Sequence, residues 1–276
     1  MNHIMREALH DLHEQDIDYV FNFSGSPITV ISSLASGWRS IGAVDPLYHR
    51  SRMAKLMDSM ASIPFVWRFA SAVQSLSRSQ SYPFHRIDEL LETTLTARGV
   101  QLRISRQPEP ENMAWLVRSI AHDGRIRLAR DSAYLRWRFE NPLQDYRFFY
   151  SEGDSLNGYL VVKRSAAGAP GEPSPTVHIV DLEANDENSK LALLEAAAAG
   201  DLFDGPVVWS ATLSKPCKDF LASIKYDAVA SAFQGHPCLL VRATDDTRLE
   251  DEWQLRGIRL TDMSNWDMRM IYTMAG

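Results

Sequence analysis

The sequence predicts an α+β protein in which helices flank a mixed, mostly antiparallel sheet. Two observations carry that prediction. One supersecondary unit occurs twice, from Ile4 and again from Lys190: a helix-patterned run, a strand-patterned run, a second helix opened by proline, and a further strand. Between the copies, residues 147–151 and 157–164 alternate as strands about a Gly153-Asp154 turn, which reads as a hairpin and not as a parallel crossover.

In the first copy Ile4, Met5, Ala8, Leu9 and Leu12 recur at helical spacing. Residues 17–23 then alternate, with Ile17, Tyr19, Phe21 and Phe23 on one face and Asp18, Val20 and Asn22 on the other. Ser24-Gly25-Ser26-Pro27 offers a cap and a first-turn proline for the next helix, and Gly37 closes it before Trp38. Residues 52–77 present Met53, Leu56, Met60, Phe65, Trp67 and Leu76 as a broad apolar surface broken at Pro64. That stretch reads as a helical linker, with 53–76 as a surface for a protein partner, and the Ser/Gln-rich 75–82 as a boundary. The expected organisation is a partial module over 1–51, a linker over 52–81 and a complete domain over 82–276.

Beyond the linker, 87–98 reads as a helix and 100–104 as a strand. Pro108 and Pro110 precede a helix over 111–121 that carries Met113, Leu116, Val117 and Ile120 on one face, and 133–139 is a short aromatic helix. After the hairpin, the small-residue stretch 166–175 reads as a loop and 177–184 as a strong strand. The second copy follows: helix 190–203, strand 207–212, a Ser-Lys-Pro turn, helix 218–225, then Tyr226 and a strand.

Composition narrows the function. With 276 residues, 45% of them hydrophobic, the chain holds enough core for one large or two small domains. A net charge of −6 argues against a nucleic-acid partner, and no apolar run reaches the roughly 20 residues a transmembrane helix needs. Cys217 and Cys238 are too few for a disulfide framework, and the N-terminus lacks the pattern of a signal peptide, so a cytoplasmic location is expected. His10, His13 and Glu14 share a helix face, but zinc needs a further ligand, and no metal is expected. Cys217, after Pro216 at a helix start, is placed for a lowered thiol pKa.

Several landmarks follow one another in order: Tyr134-Leu135-Arg136-Trp137-Arg138-Phe139 with Asn141-Pro142, Gly158-Tyr159-Leu160-Val161-Val162-Lys163, and Val177-His178-Ile179-Val180-Asp181-Leu182. With 21–24, 37–42 and 262–266, this order resembles the GNAT superfamily of acyl-CoA-dependent N-acyltransferases, in the tandem form found beside polysaccharide and cell-envelope genes. The resemblance implies a GNAT-like sheet, complete in the second module and partial in the first. It implies acyl transfer from acetyl-CoA or another acyl-CoA to an amine such as an amino sugar, by direct attack on the thioester. Two alternatives stand beside it: a non-catalytic GNAT-like binding module or truncated product, and aminoacyl transfer to a cell-wall precursor.

The resemblance also assigns roles. Asp181 and Glu183, two residues apart on the strand face of Val177 and Ile179, are candidate bases for the amine; their alternative is a cap, or pairing with Arg136 or Arg138. Tyr226 is placed to protonate a leaving thiolate, or else packs as Trp38 does in the first copy. Asn22, Leu182 and Ala184 would line the acyl-CoA arm, and Arg136 and Arg138 would bind an anionic sugar or phosphate. The family's glycine-rich pyrophosphate loop is replaced by Ala184-Asn185-Asp186-Glu187-Asn188-Ser189, whose carboxylates would repel a phosphate.

Overall fold

The two copies of the repeated unit each lend a strand to the other. The computed structural model describes residues 3–25, 27–49, 85–153, 155–164, 176–198, 202–203, 205–228, 238–245, 247 and 253–273. The expected linker 52–81, its apolar stretch 53–76 and the loop 166–175 lie outside these residues, as does Ser26.

Copy one comprises α1 (His3–Glu14), β1 (Tyr19–Gly25), α2 (Pro27–Ala35) and β2 (Arg39–Ala43), followed by β3 (Pro46–His49). Copy two comprises α6 (Glu187–Ala198), β9 (Val208–Trp209), α7 (Lys215–Ser223) and β10 (Tyr226–Ala228), followed by β11 (Cys238–Ala243). The strand that follows each copy does not stay with it. β11 inserts between β1 and β2, and β3 inserts between β9 and β10, every pairing antiparallel. The repeat seen in the sequence is therefore knitted by reciprocal exchange of its third strands.

The middle of the chain builds a five-stranded antiparallel sheet from β4 (Thr94–Ala97), β5 (Val100–Ser105), β6 (Tyr146–Glu152), β7 (Leu156–Arg164) and β8 (Val177–Ala184), in that order. One parallel bridge, His178 to Val207, joins β8 to the second copy, with Ile179 N donating to Val207 O at 2.9 Å. Helices cover both faces. α4 (Pro110–Ser119) and α5 (Ser132–Phe139) pack on one face, against Phe148, Tyr150, Tyr159 and Val161. α6 and α7 pack on the other, against Phe149, Leu160 and Val162. Alternation along β6 and β7 thus feeds two apolar clusters, one per face.

Local chemistry sets the helix starts. Pro110 opens α4, Asp131 accepts from Tyr134 N at 2.8 Å to cap α5, and Ser214 accepts from Cys217 N at 3.3 Å to cap α7. One expected helix fails. Over 87–98 the chain makes only a short turn, α3 (His85–Asp88), and then β4. Thr94 and Thr96 favour a strand, and Arg98 and Gly99 both take positive φ (50° and 76°), which closes a tight β4–β5 hairpin. The 262–266 landmark forms a 3₁₀ turn, Met263–Asn265.

Candidate functional site

β8 carries two acids in an otherwise apolar strand, and a bulge decides where they point. Val161 pairs with Asp181 while Val162 pairs with Ile179, so Val180 is an extra residue. The bulge reverses the alternation. Val177 and Ile179 face the α6 side with Leu182 and Ala184, whereas Val180 joins the α4/α5 side. Asp181 and Glu183 follow Tyr159 and Val161 onto that second side, opposite Val177 and Ile179. The expectation that all four share a face is overturned by one inserted residue.

There the two carboxylates meet two arginines. Arg130 Nη1 donates to Asp181 Oδ1 (2.9 Å), Asp181 Oδ2 (3.0 Å) and Tyr159 Oη (3.1 Å), and its Nη2 donates to Glu183 Oε2 (2.6 Å). Arg269 Nη1 donates to Asp181 Oδ1 (3.0 Å), and its Nη2 lies 2.9 Å from Glu183 Oε2. Its Nε donates to Asp267 Oδ2 at 3.0 Å. Tyr159 Oη donates to Asp181 Oδ2 at 2.7 Å. Arg269 Nη1 also donates to the Leu182 carbonyl at the strand edge. The cluster is buried, and the 3₁₀ turn Met270–Tyr272 packs over β8 beside it.

Burial alone would raise the Asp181 carboxyl, but the charges of Arg130 and Arg269 and the Tyr159 hydrogen bond hold it below the usual carboxylate range. Burial pushes the Tyr159 phenol well up and that of Tyr272 up to about 12. Asp181, Arg130 and Arg269 are therefore charged at neutral pH. Among the described residues, Arg130 Nε and Tyr272 Oη are buried without a hydrogen-bond partner.

The remaining expected site residues are dispersed. Tyr226 is buried in the α6/α7 cluster against His49 (ring centroids 5.4 Å), on the opposite side of the sheet from Asp181 and Glu183. Asn22 lies in the separate β1–β11–β2 sheet, opposite Leu240. Leu182 and Ala184 are core residues on the α6 side. Arg136 pairs with Glu111 and Glu140, and Arg138 donates to the Thr273 carbonyl, so neither is the partner of the β8 acids. Those partners, Arg130 and Arg269, lie 51 and 88 residues from Asp181 in sequence. Two acids inside a buried strand do demand cations, but nothing local in the sequence says which.

At the place of the pyrophosphate loop, Asp186 takes the position an anion would seek. Its Oδ1 accepts from Ser189 N (2.8 Å) and its Oδ2 from Asn157 Nδ2 (2.9 Å), at the N-terminus of α6. Against the cost of burial, the hydrogen bonds from Ser189 and Asn157 hold this carboxyl below its usual range. Cys217 is buried with its Sγ 3.3 Å from Glu187 Oε1. Burial, and then that carboxylate, push its thiol up to about 11, the reverse of the expected lowering. Among the described residues no group of three or more His, Cys, Asp and Glu is gathered to hold a metal ion, and no helix is long and apolar enough to cross a membrane.

No protein-family model matches this sequence, and no curated protein matches it. Among solved structures the chain is similar to a GCN5-related N-acetyltransferase from Anabaena variabilis, at 11% identity and a TM-score of 0.46, over 87% of this chain and 50% of that one. The chain thus spans about half the length of that structure.

Proposed function

We propose that the chain is an acyl-CoA-dependent N-acyltransferase of the GNAT type, transferring an acyl group to an amine such as an amino sugar. One observation carries this reading. β8 and β9 part after a single parallel bridge, and from the bulge onward the β8 edge has no strand partner among the described residues. Beyond Leu182, whose N–H and carbonyl are taken by Asp181 Oδ1 and Arg269 Nη1, such an edge accepts an extended, amide-bearing ligand as an added strand. A thioester lying there would meet the amine, whose nitrogen attacks the carbonyl carbon. The carbon–sulfur bond then breaks, and the departing thiolate takes up the proton the amine loses. A backbone N–H of the strand edge beyond Leu182, whose own N–H is given to Asp181 Oδ1, would hold the transient oxyanion.

In this reading Asp181 and Glu183 are positioning residues. Held by Arg130 and Arg269, they fix the strand edge and do not act as bases. The cytoplasm fits a protein whose two cysteines are free thiols.

A second reading, a non-catalytic module of the same architecture, is favoured by Asp186. Its carboxylate fills the helix N-terminus that would otherwise bind the CoA pyrophosphate. Calorimetric titration of the full chain with acetyl-CoA separates the two. Saturable heat, followed by thiol release when an amine is added, supports the transferase. A folded sample that shows no heat at millimolar acetyl-CoA sinks it and leaves the non-catalytic reading.

A further inference from the structure

The groove beside α5 suits a ligand unlike the anion its two arginines first suggest. It is an open concavity of about 550 Å³ lined by Ala133, Arg136, Trp137, Glu140, Asn141 and Pro142. Trp137 is 68% exposed, although tryptophan is usually among the most buried side chains on average.

The indole is nonetheless braced by its neighbours. The Arg138 guanidinium lies over the ring, 6.0 Å from its centroid, and is tied to the Thr273 carbonyl. Tyr134 lies beside it at 5.9 Å, its own position fixed by a hydrogen bond from its hydroxyl to Ile271 O (2.8 Å) and by the Asp131 cap on its backbone N–H. A braced aromatic plane open to solvent loses little freedom when a ligand stacks on it.

Charge decides what can stack there. Arg136 is engaged by both Glu111 and Glu140, and Arg138 by the Thr273 carbonyl, so an anion finds committed guanidiniums and two carboxylates. Asn141 Oδ1 accepts from Leu143 N at 3.0 Å, which leaves its amide N–H groups as donors at the rim. A flat apolar face with hydrogen-bonding groups around it matches a pyranose ring, whose C–H face stacks on an indole and whose hydroxyls point outward.

We propose that this groove is a saccharide subsite for a neutral or amino-bearing pyranose, with Trp137 as its stacking platform. It does not depend on the acyl-CoA reading, since no part of it lies on the β8 edge. The test titrates the full chain with glucosamine, N-acetylglucosamine and glucuronate, followed by tryptophan fluorescence and indole N–H shifts. At least one of the first two should saturate, with a dissociation constant on the order of 1–10 mM, and glucuronate should bind at least tenfold more weakly. Trp137→Ala, at an exposed position and with its fold checked by circular dichroism, should weaken binding at least tenfold, and Trp137→Phe should retain part of it. Failure of both sugars to saturate a folded sample, equal binding of glucuronate, or binding that survives Trp137→Ala would each overturn the subsite. The acetyl-CoA titration is unaffected by any of these outcomes.

Discussion

The two copies of the repeated unit share an element order and differ in what they reach. Their first helices, α1 and α6, are each 12 residues long. α6 buries Ala192, Leu193, Leu194, Ala196, Ala197 and Ala198 against the five-stranded sheet, whereas α1 buries only Leu9. β9 has β8 beside it through the parallel bridge, while β1 is an edge strand among the described residues. Ile4 and Ile31 of the first copy accordingly stand 71% and 70% exposed. Local patterning sets which elements form, but the sheet within reach sets how much each one buries. The exchanged strands β3 and β11 are what bind the poorly supported copy to the well-supported one.

The sharpest way to break that contrast is to remove the support of copy two. Arg130→Ala leaves Asp181 and Glu183 with Arg269 as the remaining cation named beside them, and should cost about 3–5 kcal/mol by urea denaturation. The Asp181 carboxyl has a folded pKa below its unfolded value, so its contribution is complete above about pH 4 and is lost as pH falls through the folded pKa. Unfolding free energy should therefore drop on acidification below pH 4, with a shallower slope in Asp181→Asn. An Arg130→Ala protein as stable as the parent would show that the cluster adds nothing to the fold.

The exchange itself is tested at β11. Leu239 is fully buried in the α4/α5 cluster and pairs with Gly42 of β2. Leu239→Ala should cost about 2–4 kcal/mol. Leu47 in β3, only half-buried, should lose less, about 1–2 kcal/mol, on the same change. Amide exchange gives the more telling readout, because Leu239→Ala should speed exchange in β1 and β2, which lie far off in sequence. Unchanged protection there would mean that the strand exchange does not hold the first copy.

How much of this was legible in the sequence follows from range. The repeat, the β6–β7 hairpin and the strand at 177–184 rest on periodicity and turn residues, and they appear with boundaries shifted by a few residues. The helix expected over 87–98 was misread because Leu90, Leu91 and Leu95 mimic helical spacing, while pairing with β5 wins. The destinations of β3 and β11 are long-range pairings, and each strand carries the same alternation in either place. At the site, Asp181 and Glu183 were legible as unusual residues. Their face depends on a bulge created by pairing with β7, and their partners Arg130 and Arg269 arrive from distant turns.

A smaller effect separates the copies at the turn that ends each second helix. Gly37 (φ +88°) precedes Trp38 in copy one, and Lys225 (φ +71°) precedes Tyr226 in copy two, so both copies use a left-handed residue before a buried aromatic. At Gly37 a Cβ would strike the Arg242 guanidinium, which hydrogen-bonds the Ser36 carbonyl. Gly37→Ala should therefore lose about 1–3 kcal/mol, from left-handed strain and displacement of Arg242 together. A loss under about 0.5 kcal/mol would show that Arg242 moves aside freely.

The smallest effect should have the opposite sign. Lys225 is exposed and holds a left-handed conformation that costs a side-chain-bearing residue about 1 kcal/mol relative to glycine. Lys225→Gly removes that strain but gives the unfolded chain more freedom, so the net gain should be about 0.5 kcal/mol. For a chain of this size, that raises the melting temperature by about 1–2 °C. Its value lies in the pairing with Gly37: equal backbone geometry, with glycine required in one copy and merely preferred in the other. If Lys225→Gly instead destabilises the protein, the lysine side chain contributes through a contact beyond the turn, and the two turns are alike in geometry alone.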